Sequence, residues 1–205
     1  MTTLSNEPLF IGLAGTLNAG KDSFGNRLAD EHGFLHMSTS DMIREMKRRE
    51  FGADSPDALL KRNDPYINKL RTERGPGFLI DAVHEEWLAH RDKYPGGMVA
   101  SAMRAIGEAE AIQKIGGIII FVDADPKVRY ERSQLRMRDA NESGKTFDEF
   151  MASERTEIDV DPNDKAVQNL TAMKEMADLV IENNGNDIPA FQDEAVNALK
   201  DFLEN

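Results

Sequence analysis

The chain patterns as an α/β protein, a parallel sheet of five strands covered by helices. Short apolar runs rich in β-branched residues recur along it, helical stretches separate them, and Gly, Pro or a capping side chain marks the joints. "LFIGLA" at 9–14 reads as a buried first strand, and Lys21 to Glu31 as a helix with Phe24 and Leu28 on its apolar face and "HG" as its stop. "FLHM" makes a second strand. Ser38 to Arg49 follows as a helix, opened by the capping run "STSD" and closed by Phe51 and Gly52. From Asp54 to His90 the pattern is helical with Pro and Gly breaks, and this stretch is expected to project beside the sheet. "GMVASAM" is the third strand, "AIGEAEAIQKIGG" its helix, and "IIIFVDA" the fourth strand. Asp125 and Pro126 open a helix through the Arg-rich "VRYERSQLRMR". "DLVIENN" closes the sheet and "DIPAFQDEAVNALKDFLEN" the chain, as an amphipathic helix. Strands joined by crossover helices make right-handed connections, so a ligand crevice is expected at the carboxyl ends of the strands.

At 205 residues the chain is long enough for one well-buried core, and a single domain over 1–205 is expected. Lys and Arg number 25 against 37 Asp and Glu, a net charge of −12, which argues against nucleic acid as a partner. Small phosphorylated ligands stay open, because a local Arg cluster outweighs the global field at short range. Without Cys the chain has no disulfide, zinc-thiolate or thiol chemistry, and it suits a reducing cytoplasm. No apolar run approaches the roughly 20 residues that cross a bilayer, so no membrane partner is expected. The acidic stretch from Asp139 to Asp164 reads as mobile surface.

The chemistry begins at "GTLNAGKD", between an apolar strand and a helix. Gly15, Gly20 and Lys21 fit the phosphate-binding pattern G-x-x-x-x-G-K-[ST], while Asp22 stands where a hydroxyl is usual and Ser23 supplies one a position late. Glycines let such a loop curl its amides inward, and Gly15, Asn18, Ala19, Gly20 and Lys21 are the residues expected around the phosphates of ATP. Lys21 is expected to neutralise charge as the phosphoryl group moves. For Mg²⁺ two ligands remain open: Asp22, directly or through water, or Ser23, with Asp22 then serving only as a helix cap.

After the second strand comes Ser38, Thr39, Ser40, Asp41, Met42, Ile43 and Arg44, a run that resembles the acceptor-binding segment of adenylate kinase and other nucleoside monophosphate kinases. Most of the chain from Phe10 onward also resembles nucleotide-kinase-like P-loop proteins labelled dephospho-CoA kinase-like, on "SDMIR", "SAMRA", "KTFDEF" and "ADLVIEN"; the "GKD" variant resembles phage-type deoxynucleotide monophosphate kinases. The resemblance implies a three-layer P-loop NTPase fold with strand order 2-3-1-4-5, a helical acceptor-binding insertion over about 39–95 and a lid over about 139–165. It implies that Arg44 and Arg104 grip the acceptor phosphate, with Glu108 or Glu110 beside the acceptor base. Arg132, Arg136 and Arg138 would stabilise charge on the transferring group, and Arg155 would swing in with the lid. One departure stands out: where relatives carry Asp before Gly-Ile-Arg, this chain has Ser101, and Asp22 is a candidate to supply the lost charge from across the crevice.

The expected activity is transfer of the γ-phosphoryl of ATP to a small-molecule nucleotide acceptor, by a cytoplasmic monomer or homodimer. A nucleoside monophosphate, deoxy or not, comes first and dephospho-CoA second; a ribose hydroxyl acceptor needs a general base, for which Asp41 stands. Because of Ser101, an ATP-binding regulator with weakened catalysis stays open as a reading of another class. The histidines at 32, 36, 84 and 90 lack metal-ligand spacing, and His36 reads as a satisfied core residue. Met37, Met42 and Met46 read as core filling, Trp87 as a cover for the helical insertion, and Asp125 as a helix cap.

Overall fold

The computed structural model describes residues 4–59, 64–135, 146–155, 164–165 and 168–204. Five strands, β1 (Leu9–Gly15), β2 (Phe34–Ser38), β3 (Gly97–Met103), β4 (Ile118–Asp123) and β5 (Leu179–Glu182), form one sheet in the order β2-β3-β1-β4-β5, every neighbour pair parallel. The helices among the described residues are α1 (Lys21–His32), α2 (Thr39–Phe51), α3 (Pro65–Arg74), α4 (Phe78–His90), α5 (Ile106–Lys114), α6 (Pro126–Leu135), α7 (Phe147–Arg155), α8 (Leu170–Glu175) and α9 (Ile188–Glu204), with a 3₁₀ turn at Pro56–Ala58. This is the three-layer architecture of P-loop proteins.

Parallel strands buried on both faces read as near-continuous apolar runs, and β1 shows why. Its Ile11 and Leu13 pack with Phe24 and Leu28 of α1 and Phe191, Ala195 and Leu199 of α9 on one face. Ala14 joins Ile80, Val83 and Trp87 of α4, Ala109 and Ile112 of α5 and Met173 of α8 on the other. A third cluster, Ile43, Ile67, Leu70, Phe78 and Leu79, sits between α2, α3 and the start of α4.

The helical middle of the chain therefore splits. Its early part has its own small core, but α4 lies on the sheet and does not project beside it, because its apolar face is wide enough to cover β1 and β3. Trp87 follows α4: its indole packs against Phe10 of β1, stacks on His84 and donates to the Tyr94 carbonyl at 3.0 Å, so it covers the sheet and not the insertion. Met37 and Met42 pack on the second cluster, and Met42 and Met46 on the third. Asp125 does cap α6, accepting from the amide of Lys127 at 2.8 Å.

At the carboxyl end of the sheet the ladder is irregular. Leu13 pairs with Ser101 and Ala14 with Met103, so Ala102 is the extra residue of a bulge, and its φ is 62°. Bulges re-aim side chains at functional rims. Here the bulge lies where the phosphate loop leaves β1 and Arg104 leaves β3, and Thr39 at the start of α2 donates to the Ala102 carbonyl at 3.0 Å.

Candidate active site

The loop after β1 has the backbone its residue types demand. Gly15 has φ 138°, and a Cβ there would lie 2.0 Å from the Val122 carbonyl oxygen of β4. Gly20 has φ 107°, and a Cβ would meet the Asn183 side-chain nitrogen at 2.6 Å. Asn18, a residue type that tolerates the left-handed region, has φ 60°. Lys21 is buried, with its ammonium on the carbonyl oxygens of Gly15 at 2.9 Å and Thr16 at 2.6 Å. A cation is thereby held inside the curl of the loop, at the N-terminus of α1.

Asp22 and Ser23 turn to opposite sides. The Asp22 carboxylate accepts from the Ser101 hydroxyl of β3 at 3.0 Å. Ser23 instead accepts from the Gln192 side-chain amide of α9, at its hydroxyl (3.1 Å) and at its carbonyl (2.9 Å). The alternative metal ligand is thus drawn toward α9, because successive helix residues diverge by about 100° and only one of them faces β3.

Beyond the loop, Arg132 of α6 reaches its underside. It donates to the Asn18 carbonyl at 3.1 Å, to the Asn183 carbonyl and side-chain oxygen at 3.0 and 3.1 Å, and to the Gly185 carbonyl. Arg132, expected to stabilise the transferring group, here is a clamp joining loop, β5 and α6, since a fixed guanidinium fork matches several carbonyls at once. Asn183 completes the clamp by donating to the Ala19 carbonyl at 2.8 Å.

On the other side of β1, Thr16 donates to Asp123 at the end of β4 at 3.0 Å, and Lys174 of α8 donates to the same carboxylate at 2.7 Å. Burial pushes the Asp123 carboxyl up, but hydrogen bonds from Lys174, the Ala124 amide and Thr16 outweigh it and leave the group below its ordinary value.

The acceptor side lies at the neighbouring strand ends. Ser38 of β2 pairs with Ser101 of β3, so α2 and the Arg104 segment leave the sheet side by side. The Ser38 hydroxyl caps α2 by accepting from the Asp41 amide at 3.4 Å. Asp41, with a side chain 74% exposed, pairs with Arg44 at 2.6 Å. Glu108 departs from the expectation of a base-reading acid. It is fully buried; one oxygen accepts from Arg71 of α3 at 2.7 Å and the other from the amides of Arg104 and Ala105 at 2.8 and 3.2 Å. The first turn of α5 needs an acceptor for those orphan amides, and Glu108 supplies it. Glu110 is paired at the surface with Lys165 at 2.6 Å, and Arg155 is exposed at the end of α7. Arg136 and Arg138 lie outside the described residues.

These features fit a polyphosphate. Gly15 and Gly20 leave the loop no room for a Cβ against β4 and Asn183, the Lys21 cation is already in place, and the Asn18 side-chain nitrogen is buried with no acceptor in the protein. For a magnesium ion the fit is a single hard oxygen ligand, Asp22. Among the described residues no group of three metal-ligating side chains occurs, as expected where the ion is held by one or two carboxylates and substrate phosphates.

Thr16, Lys174 and Asn183 were not picked out by sequence reasoning; Asp123 was noted only as a candidate acid beyond β4, and His36, read as a core residue, is half-buried and in polar contact. Asp123 and Asn183 have a visible signal, each ending an apolar strand on the side where ligands bind. Thr16, Lys174 and His36 have none, since their partners are remote in sequence.

The fold and the loop are those of a P-loop protein. No protein-family model matches the chain. Adenylate kinase of Synechococcus sp. (strain WH7803) is 28% identical over 144 residues, spanning 66% of this chain and 72% of that protein. Cytidylate kinase of Afipia carboxidovorans is 25% identical over 150 residues, with the same two shares. Shikimate kinase from Bacteroides thetaiotaomicron shares the fold, with a TM-score of 0.56 across 96% of this chain and 99% of its own, at 15% identity. The chain is similar to P-loop nucleotide kinases, and these relatives support a phosphotransferase of nucleotide type. No helix among the described residues is long and apolar enough to cross a membrane.

Proposed function

We propose that the chain transfers the γ-phosphoryl group of ATP to a nucleoside or deoxynucleoside monophosphate in a reducing cytoplasm. The observation that carries this reading is the buried Lys21 ammonium inside the Gly15–Gly20 loop, with the Asp41–Arg44 pair open at the adjacent strand end. Lys21 and the loop amides hold the outer phosphates and balance their charge as it shifts. Asp22 would hold Mg²⁺, which would supply charge neutralisation on the phosphates. Arg44 exchanges Asp41 for the acceptor phosphate; an exposed ion pair is worth only ~0–1 kcal/mol, so the exchange costs little. Arg104 supplies a second guanidinium, and Glu108, through Arg71 and two amides, fixes the backbone from which it projects. Residues 39–95 contribute the acceptor side, and 139–165, with Arg136 just before it, a lid that excludes water.

A second reading is favoured by one observation. Ser101 is fully buried where the family resemblance places an acid, and a binding protein of weakened turnover follows if Asp22 does not replace that charge. One experiment separates the two: a panel of ribo- and deoxynucleoside monophosphates, with dephospho-CoA, is offered with ATP and Mg²⁺ and ADP release is recorded. Release with a nucleoside monophosphate above the acceptor-free rate is expected. Tight ATP binding without release for any acceptor would favour the regulator, and release with dephospho-CoA alone would move the acceptor to a ribose hydroxyl and make Asp41 the base.

A further inference from the structure

His36 lies in β2, across from α1, and its ring joins a line of polar contacts leading to the phosphate loop. Its Nε2 is 2.9 Å from the Ser101 hydroxyl oxygen, and that hydroxyl donates to Asp22 at 3.0 Å. At the other end Nδ1 is 2.9 Å from the Asn26 side-chain oxygen of α1. Position 25 between them is glycine, and a Cβ there would lie 2.5 Å from Nε2. Gly inside a helix is destabilising, so the glycine reads as the space in which the ring sits.

The proton count gives the line a direction. A serine hydroxyl has one proton and accepts at its lone pairs. With Asp22 ionised, the Ser101 proton belongs on the carboxylate, so the oxygen is free to accept from Nε2–H. Asn26 suits either state of the ring, its oxygen accepting from a charged imidazole and its nitrogen donating to a neutral one. Burial pushes His36 below its ordinary value, against the pull of the Asp22, Asp41 and Asp30 carboxylates.

We propose that His36 is a positioning residue: through Ser101 it fixes the orientation of the Asp22 carboxylate beside the phosphate loop, so that Asp22 meets a divalent ion arriving with the nucleotide. Serine in place of an acid on β3 is then a relay and not a loss. A Ser101 hydroxyl without His36 is free to turn, and Asp22 without Ser101 loses one donor to its carboxylate. The inference rests on the phosphotransferase reading for the identity of the ligand.

The test is calorimetric titration of ADP with and without Mg²⁺, which reads binding and not turnover. The quantity of interest is the ratio of the two affinities. His36→Leu removes the donor and is expected to shrink the wild-type ratio roughly three- to tenfold, the range of one lost hydrogen bond, with ADP affinity in EDTA unchanged. His36→Gln carries its amide nitrogen close to the place of Nε2 and is expected to retain most of the ratio. In a Ser101→Ala background His36→Leu is expected to add less than twofold, since the relay is already cut. An unchanged ratio in His36→Leu would overturn the proposal. So would an equal loss with and without Mg²⁺, which marks general damage, or a full additional loss on top of Ser101→Ala. Should His36→Leu fail to melt cooperatively, His36→Asn, whose amide falls short of Ser101, takes its place under the same criteria. No ADP binding by the wild-type protein would instead overturn the phosphotransferase reading and this inference with it.

Discussion

Ala102 is a residue held where its side chain is unwelcome. With φ at 62° it occupies the left-handed region at a cost of roughly 1–2 kcal/mol, which glycine would relieve, less ~0.5–1 kcal/mol lost to its greater freedom in the unfolded chain. Ala102→Gly is therefore expected to raise unfolding stability by about 0.5–1 kcal/mol in urea denaturation, with no loss of ADP binding. The bulge follows Ser101, which donates to Asp22, and precedes Arg104, which leaves the strand. Asp123 gives a second test at this scale. Its folded value is depressed, so the stability it contributes is present above the unfolded value, near 4, and is lost as pH falls through the lower folded one. Lys174→Met is expected to cost about 0.5–1 kcal/mol at pH 7, discounted for the half-exposed lysine, and the difference from wild type should vanish in acid below that depressed value. Thermal melts of both proteins from pH 7 to pH 2.5 read this directly. At the residue scale the sequence revealed residue types but few partners. Lys21, Asp22 and Arg44 stand out because the motifs they belong to are local. The Asp22–Ser101–His36 line was not, because its links span 79 and 65 positions. Glu108 misleads for the opposite reason: a helical Glu three residues into α5 looks solvated until Arg71 is known to lie over it.

Among the elements, the strands and most helices were legible, since alternating apolar runs and caps are local signals. The placement of α4 was not. Its apolar face is compatible with either a projecting insertion or the sheet, and only the presence of β1 and β3 beneath it decides. The joint between α6 and α7 was equally hidden. Arg129 of α6 and Glu154 of α7 are both buried and paired, and Arg129 also donates to the Ala124 carbonyl at 2.8 Å. Removing one partner of such a pair strands a charge in the interior, whereas removing both leaves an apolar contact. Glu154→Ala is expected to lower unfolding stability by about 3–5 kcal/mol, and Arg129→Met with Glu154→Leu to cost far less. Equal losses in guanidinium denaturation would show that the pair acts through packing and not charge.

Across the whole molecule, a net charge of −12 surrounds a loop that concentrates positive charge at one point. Lys21, the N-terminus of α1 and the Arg132 clamp converge on a segment of eight residues, 15–22, while Arg44 and Arg104 leave neighbouring strands on the far side of β1. Such a separation of the loop cation from the two arginines is what a parallel sheet with its strand order reversing beside β1 provides. The strand order followed from the family resemblance and is found in the sheet. The identity of the acceptor did not follow from it, because that depends on side chains converging from elements 30 to 60 residues apart. The most direct measurement is steady-state ADP release from ATP and Mg²⁺ with nucleoside monophosphates, the wild-type protein beside Lys21→Ala. The expectation is acceptor-dependent release by the wild type and a loss of about a hundredfold or more in the variant, the scale of one preorganised cation at a shifting charge. Release that does not depend on the acceptor, or that survives intact without Lys21, would contradict a phosphotransferase built on this loop.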